Sequence, residues 1–502
     1  MKLLPFLILI NVIWGSEYSF INNDGIKTHD SVVISLQEDL KSKSAEVTKV
    51  VLERRPAQGH CPRPHDYKEG ALRLDISPLN SVLSVTALDD ASAVGELIAP
   101  EFGAYGEVTA VATAGALTSM ETLVDTLLPM GLIPAVVPEF KGITVGGAIQ
   151  GLAAESSSAR YGFFHDMVVE FEALLMNGTM VMCSKKQNED LFLSVPGSFG
   201  SIAIITSAKM LCVKAAPFVK VTVSRYGNIS DTVDALAETH AHIMAAPSTA
   251  PGSDATLFLE GFGYGRNDFV KLTGRFAPEV SGLKLLRCNV WGGRWFFNQV
   301  RNARDGTHVV YPTKDYLFRH DRGSFWMASY RIPQIIGRLM GGLLDSRAMF
   351  NLANALPWAF PKKQICLQDF MLPRNTVVSF FEKLETILEL WPMWLLPMRN
   401  VESRRNGSLF AQPSTLQGHL CNVGAYGIPK KKYEFIPKNM EMESLLKAHG
   451  GRKVFYSHAF YTKEEFYDNI YSGQDYHAVR NKYGSSVLPE IYDKVVVKNG
   501  KL

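Results

Sequence analysis

The pattern of apolar and polar positions divides the chain into two textures. Residues 31–55 read as a helix running into a strand, and 71–85 alternate as two strands broken by a turn at Ser77-Pro78. Between 118 and 129, Met120, Leu123, Val124, Leu127 and Leu128 recur at helical spacing. A glycine-rich loop is expected over 144–151. Two apolar runs, 168–175 and 180–182, flank Asn177-Gly178, a strong hairpin signal. A short helix over 188–194 and a near-continuous apolar strand over 202–213 follow. Beyond Pro217, strands at 219–224 and 256–260 mix with long amphipathic helices around 332–355 and 377–390. No fixed-period repeat occurs. The pattern predicts an α+β chain with a boundary near 215, separating a domain over 28–215 from a second over 216–502.

Composition narrows the class. At 46% hydrophobic and 20% charged residues, the 502-residue chain can bury a large core, which excludes wholesale disorder. Lys plus Arg total 52 against 49 Asp plus Glu, a net charge of +3, and no clustered basic face points to nucleic acid. The cysteines stand apart at 61, 183, 212, 288, 366 and 421, without a Cys-x-x-Cys pair. Neither a zinc ribbon nor a dithiol site is therefore written here, and no metal is expected. Lys2, a mostly apolar run over 3–14 and Gly15-Ser16 describe a secretory signal or short membrane anchor over 1–16. The run is short for a full span, so association with a membrane surface is expected. Asn177, Asn228 and Asn406 open Asn-x-Ser/Thr triplets, acceptors only in a lumenal protein.

The candidate chemistry starts at Thr144-Val145-Gly146-Gly147-Ala148-Ile149-Gln150-Gly151, continuing through Leu152-Ala153-Ala154-Glu155-Ser156. Glycines at this density let backbone N–H groups approach a pyrophosphate. Tyr161-Gly162 with Asp166, the Asn177-Gly178 hairpin, Asp190-Leu191-Phe192 and Gly197-Ser198-Phe199-Gly200 ahead of Ile204-Ile205-Thr206 follow in order. This ensemble resembles the FAD-binding domain of the vanillyl-alcohol-oxidase/p-cresol-methylhydroxylase superfamily. Arg55-Pro56-Ala57-Gln58-Gly59-His60 stands where that superfamily has its first pyrophosphate loop. Arg319-His320-Asp321-Arg322, Gln368-Asp369-Phe370, Trp391-Pro392-Met393-Trp394, Gly424-Ala425-Tyr426-Gly427 and Pro489-Glu490-Ile491-Tyr492-Asp493-Lys494 narrow the resemblance to the Δ24-sterol reductase (Diminuto/seladin) branch. The stretch over 86–108 is longer than that family's hairpin.

The resemblance implies a two-subdomain flavin domain followed by a substrate domain. It further implies reduction of a sterol side-chain double bond, with FAD as carrier, NADPH as electron source and an endoplasmic-reticulum or other secretory-pathway membrane as location. FAD is expected to contact Arg55–His60, Thr144–Ser156, Gly200 and Ile204, without the covalent bond that relatives form through a histidine placed like His60. An isolated alkene accepts hydride only when its other carbon is protonated at about the same time. Tyr426, His477 and Tyr492 are the candidate acids, Tyr426 first because Gly424 and Gly427 flank it. Arg319 and Arg322 are candidates to balance flavin charge or hold phosphate. Gly261-Phe262-Gly263-Tyr264-Gly265 reads as a hairpin turn, so NADPH has no Rossmann fingerprint of its own. Lys430-Lys431-Lys432 reads as a solvated turn or a contact for a lipid headgroup or nicotinamide phosphate, the segment 391–397 as core or pocket wall, and the helix over 335–350 as buried ahead of membrane-facing. Two alternatives stay open: a flavoprotein oxidase or dehydrogenase of an alcohol, lactone or amine, and a non-catalytic sterol-binding protein.

Overall fold

A computed structural model describes residues 19–43, 48–53, 66–88, 108–339, 344–356, 362–401, 408–409 and 418–497. The run over 1–16 and the Arg55–His60 loop lie outside the described residues, as does most of the long stretch over 86–108. The first half contains β1 (Ser19–Ile21), β2 (Val50–Glu53), β3 (Leu72–Asp75), β4 (Val82–Ala87), β5 (Val108–Gly115), β6 (Leu132–Pro134), β7 (Val168–Leu174), β8 (Met180–Ser184) and β9 (Ile204–Lys214). Strands β2 and β3 pair in parallel. The others form a sheet in the order β1-β4-β5-β9-β7-β8, with β6 also on β9. Strand β9 is central and covered on both faces, which explains its unbroken apolar run. Asn177 turns the β7–β8 hairpin: its Oδ1 accepts the Thr179 N–H at 2.9 Å while Gly178 takes φ +79°.

The second half contains β10 (Phe218–Tyr226), β11 (Phe258–Gly265), β12 (Asp268–Ala277), β13 (Lys284–Leu285), β14 (Thr307–Pro312), β15 (Cys366–Pro373), β16 (Met393–Met398), β17 (Leu420–Gly427) and β18 (Arg452–Lys453). They form one sheet, β13-β14-β10-β12-β11-β16-β17-β15-β18. The helices Ile229–Ala245 and Val377–Leu388 cover one face of it. On β16, Met393 and Leu395 pack into that helical layer, while Trp394, Leu396 and Met398 point into a cavity on the other face. The segment over 391–397 is thus both core and pocket wall, by strand alternation.

Three sequence expectations are corrected. The glycine-rich segment is a short helix, Val145–Gln150, because the Thr144 hydroxyl caps it by accepting the Gly147 N–H at 3.3 Å. The glycines at 261, 263 and 265 lie within β11 rather than in its turn. A Cβ at Gly263 would stand 2.8 Å from the Phe269 ring, so glycine there admits an aromatic against the backbone. The single helix expected over 332–355 is two, Gln334–Leu339 and Ser346–Ala355, because Asp345 caps a fresh start by accepting the Ala348 N–H. On the first, Ile335 and Leu339 are 70% and 66% exposed, not buried.

The two sheets are joined by buried charge. All four residues of Arg319-His320-Asp321-Arg322 are at most 3% exposed. The Arg319 guanidinium donates to Glu260 Oε1 at 2.8 Å, from Nε, and to Glu155 Oε1 at 2.7 Å, from Nη2. Glu155 closes the glycine-rich segment, whereas Glu260 sits on β11. His320 donates Nε2–H to Glu260 Oε2 at 3.0 Å and Trp394 adds its indole N–H at 2.9 Å. Burial depresses His320, keeping it neutral. Asp321 accepts the Lys141 N–H and the Ser346 hydroxyl. Donor atoms of Glu155, Glu260 and His320 lie within 4.8 Å of one another, and the cation among them is Arg319. The last described helices return to the first domain: Lys494 Nζ donates to the carbonyls of Phe199 and Gly200, and Ser485 to that of Ile202.

Replacing Arg319 by Met would leave two buried carboxylates without their cation. The expected cost is about 3–5 kcal/mol, read as a lower urea midpoint at unchanged slope. A midpoint equal to the parent's would dissolve the assignment.

Candidate functional site

A cavity of about 410 Å³ opens between the two domains. From the first come Thr144, the helix it caps, the following turn through Ala154, and Phe199. From the second come Phe325, Tyr330, Asp369, Trp394, Leu396, Tyr426 and Tyr456. The wall is mostly apolar, with a few polar groups converging on it, the usual make-up of a cofactor or lipid site.

The glycine-rich segment fits a dinucleotide. Gly147 is exposed, and among the described residues the only neighbour within 4 Å of a Cβ built there is the Thr144 hydroxyl at 2.9 Å. Gly146 packs so tightly that a Cβ would meet the Ala116 carbonyl at 3.1 Å. One glycine thus brings the helix down onto β5's exit, and the other leaves its backbone open to a ligand. Leu152 lines the cavity in a left-handed conformation, φ +56°. Thr144, Gly146, Gly147, Ala148, Gln150, Gly151, Leu152, Ala153 and Ala154 all face the cavity. Val145 and Ile149 instead anchor the apolar core, and Glu155 and Ser156 turn into the Arg319 network. Ile204 packs with Leu36 and Leu40, leaving its strand neighbour Ile205 to line the wall. Gly200 stands at the edge, where its carbonyl accepts from Lys494, itself a lining residue.

The candidate acids separate. Tyr426 lines the cavity. His477 lies elsewhere, tilted against Tyr467 and edge-on to Tyr476 with ring centroids 4.9 and 5.2 Å away. Tyr492 donates to the Tyr461 carbonyl at 3.1 Å, also away from the cavity. Both belong to the segment that clasps the 197–202 loop, so their aromatic surfaces serve packing there. Arg319 and Arg322 are likewise engaged: Arg322 donates to the carbonyls of Cys288, Val290, Gly293, Gly337 and Arg338.

Two acids on the cavity wall went unassigned in the sequence reading. Asp369 Oδ1 accepts the Tyr426 hydroxyl at 2.6 Å and the Asn422 amide at 2.5 Å, and the Tyr456 hydroxyl adds a further bond. Burial pushes Asp369 up, and burial with the Asp369 charge pushes Tyr426 far above its ordinary range. Glu139 is surrounded by protein, and the surface it retains faces the cavity. Burial, followed by Glu155 and Asp369, raises its carboxyl to about 8, against a smaller opposing pull from Arg319. Glu139 therefore keeps its proton at neutral pH. Its sequence signal was slight: one carboxylate closing the apolar run that begins at Leu132.

Residues 59–184 match the family described as FAD binding domain. Among curated proteins, the chain is 27% identical over 401 residues to a Delta(24)-sterol reductase of Macaca fascicularis, covering 77% of this chain and 73% of the relative. It is 25% identical over 509 residues to the Arabidopsis thaliana Delta(24)-sterol reductase, covering 95% and 86%. A Caenorhabditis elegans Delta(24)-sterol reductase homolog is 23% identical over 522 residues, covering 98% and 93%. Fold, glycine-lined cleft and matching segment define a flavoprotein of the FAD-binding oxidoreductase class. Within that class, the chain is similar over most of its length to Delta(24)-sterol reductases of animals and plants.

Gly147→Asp would set a carboxylate on the open backbone. The expected result is a folded protein that emerges from gel filtration with little flavin absorbance. Full flavin content would move the pyrophosphate contact elsewhere.

Proposed function

We propose that the protein reduces a sterol side-chain carbon–carbon double bond, with FAD bound along Thr144–Ala154 and NADPH as the source of electrons. The observation that carries the reading is the composition of one cavity. It joins a glycine-lined dinucleotide segment to an apolar, aromatic wall and to one carboxyl that holds a proton near neutral pH. Kinship with the Delta(24)-sterol reductases supplies the substrate class. Bound FAD supplies a hydride carrier.

The chain's own groups handle the proton and exclude water. Trp394, Leu396 and Met398 offer a steroid skeleton an apolar bed. Protonation of the second alkene carbon falls to Glu139. Tyr426 is less suited, because losing its proton would place a phenolate against the Asp369 carboxylate 2.6 Å away. Asp369, held by Tyr426, Tyr456 and Asn422, instead keeps negative charge near Glu139 and so keeps the Glu139 proton in place. Arg55–His60 remains a proposed partner of the cofactor, with the flavin held non-covalently.

The tests are separable. NADPH added under nitrogen should bleach the flavin bands, and sterol should restore them. Flavin should stay in the supernatant after acid precipitation. Because Glu139 gives its proton only when protonated, reoxidation by sterol should hold below a pH of about 8 and decline above it. Glu139→Gln should slow that step by about 10²–10⁴-fold and flatten the decline. Tyr426→Phe should retain the pH profile. A normal rate in Glu139→Gln with a dead Tyr426→Phe would return the role to the tyrosine. Peroxide production on alcohols, without sterol turnover, would favour an oxidase.

A further inference from the structure

Among the described residues, no helix is long and apolar enough to cross a membrane. Yet the second domain carries an exposed apolar patch. Trp291 is 68% exposed, and Ile335 and Leu339 on the helix Gln334–Leu339 are 70% and 66% exposed. The loop and the helix form one surface: Gly292 N–H donates to the Arg338 carbonyl at 2.9 Å, and Arg338 Nε returns to the Gly292 carbonyl at 3.1 Å. From beneath, the buried Arg322 guanidinium ties both together through its bonds to the loop carbonyls and those of Gly337 and Arg338. A patch held so firmly is a built surface.

Two observations say what covers it. The segments over 286–301 and 327–344 contain no acidic residue, while Arg287, Arg294, Arg331 and Arg338 on them are all exposed. Beside the patch lies a polar recess of about 250 Å³, lined by Arg294, Trp295, Asn298, Asn302 and Arg338. Trp295 is 2% exposed, and its buried indole N–H has no acceptor among the described residues. Two guanidinium groups and an unmet N–H make an anion site, and a tryptophan with isoleucine and leucine beside it makes an interfacial apolar face. The chain also runs from this patch directly into the cavity wall, since Met327, Tyr330 and Arg331 line the cavity and Arg331 is exposed.

We propose that this face docks on an anionic bilayer, with a lipid phosphate in the Arg294–Arg338 recess and Trp291, Ile335 and Leu339 in the headgroup–acyl boundary. The cavity mouth at Arg331 then meets the membrane, so an apolar substrate enters without crossing water. The substrate part of this inference rests on the proposed function; the docking part does not.

The test uses the full chain and vesicles of phosphatidylcholine bearing brominated acyl chains, with and without phosphatidylserine. Tryptophan fluorescence should be quenched, more strongly with phosphatidylserine, and Trp291→Phe should remove that quenching. Ile335→Asp with Leu339→Asp should weaken vesicle engagement on the order of a hundredfold. Arg294→Gln with Arg338→Gln should abolish the phosphatidylserine increment, about fivefold per arginine. Quenching unchanged in Trp291→Phe overturns the proposal. So does a dimer that Leu339→Asp converts to monomer without altering vesicle binding, since the face would then pair two copies. Inorganic phosphate that protects the recess while leaving vesicle binding untouched overturns the lipid assignment. Quenching at Trp291 without reduction of vesicle-borne sterol would sink the proposed reaction and leave the docking surface standing.

Discussion

The structure turns on one buried cation shared by two carboxylates from different domains. Arg319 is held from one side by Glu155, at the end of the glycine-rich segment, and from the other by Glu260, on β11. A guanidinium taken wholly out of water is tolerated only when its donors are met, and meeting them fixes the distance and orientation between its partners. The glycine-lined helix and the aromatic wall opposite it therefore keep a fixed gap. Trp394 shows the economy of the arrangement. Its indole N–H satisfies Glu260 while the strand on which it sits forms part of the cavity wall.

The same network sets the charge of the cavity. Glu139 feels the charges of Glu155 and Asp369, with Arg319 the nearby cation, itself shared between Glu155 and Glu260. Arg319 and His320 pull Glu260 down, while burial and the Glu260 charge lift Glu155. Burial is the main cause of the proton retained on Glu139, and the Glu155 and Asp369 charges add to it.

Much of the architecture was legible in the sequence, for reasons that differ by residue. Strand β9 and the hairpin at Asn177-Gly178 announced themselves because burial and turn geometry are local properties. The glycine-rich segment lies on the cavity wall as a short helix where the sequence reads as a loop, since that helix depends on a single hydroxyl, Thr144. Tyr426 was found at the cavity because it lies on a strand whose neighbours pack there. His477 and Tyr492 were not brought to it, since nothing in the sequence says that their segment folds back onto the 197–202 loop. Arg319 and Arg322 looked like ligand-binding charges; burial, which no charge pattern reveals, gave one to an ion pair and the other to backbone carbonyls. Glu139 draws no chemical role from the sequence, because a lone carboxylate carries no spacing.

The return of Lys494 to the carbonyls of Phe199 and Gly200 has a bearing on the order in which the protein is made. These partners are separated by 295 and 294 positions in the chain. Contacts of such separation form late, after the intervening sheet exists. The glycine-rich segment leaves the ribosome well before Lys494, which supplies part of the cleft that segment serves. A nascent chain can thus fold its first sheet well before it completes the cleft, and a chain cut ahead of Lys494 would carry a finished core around an unfinished cofactor cleft.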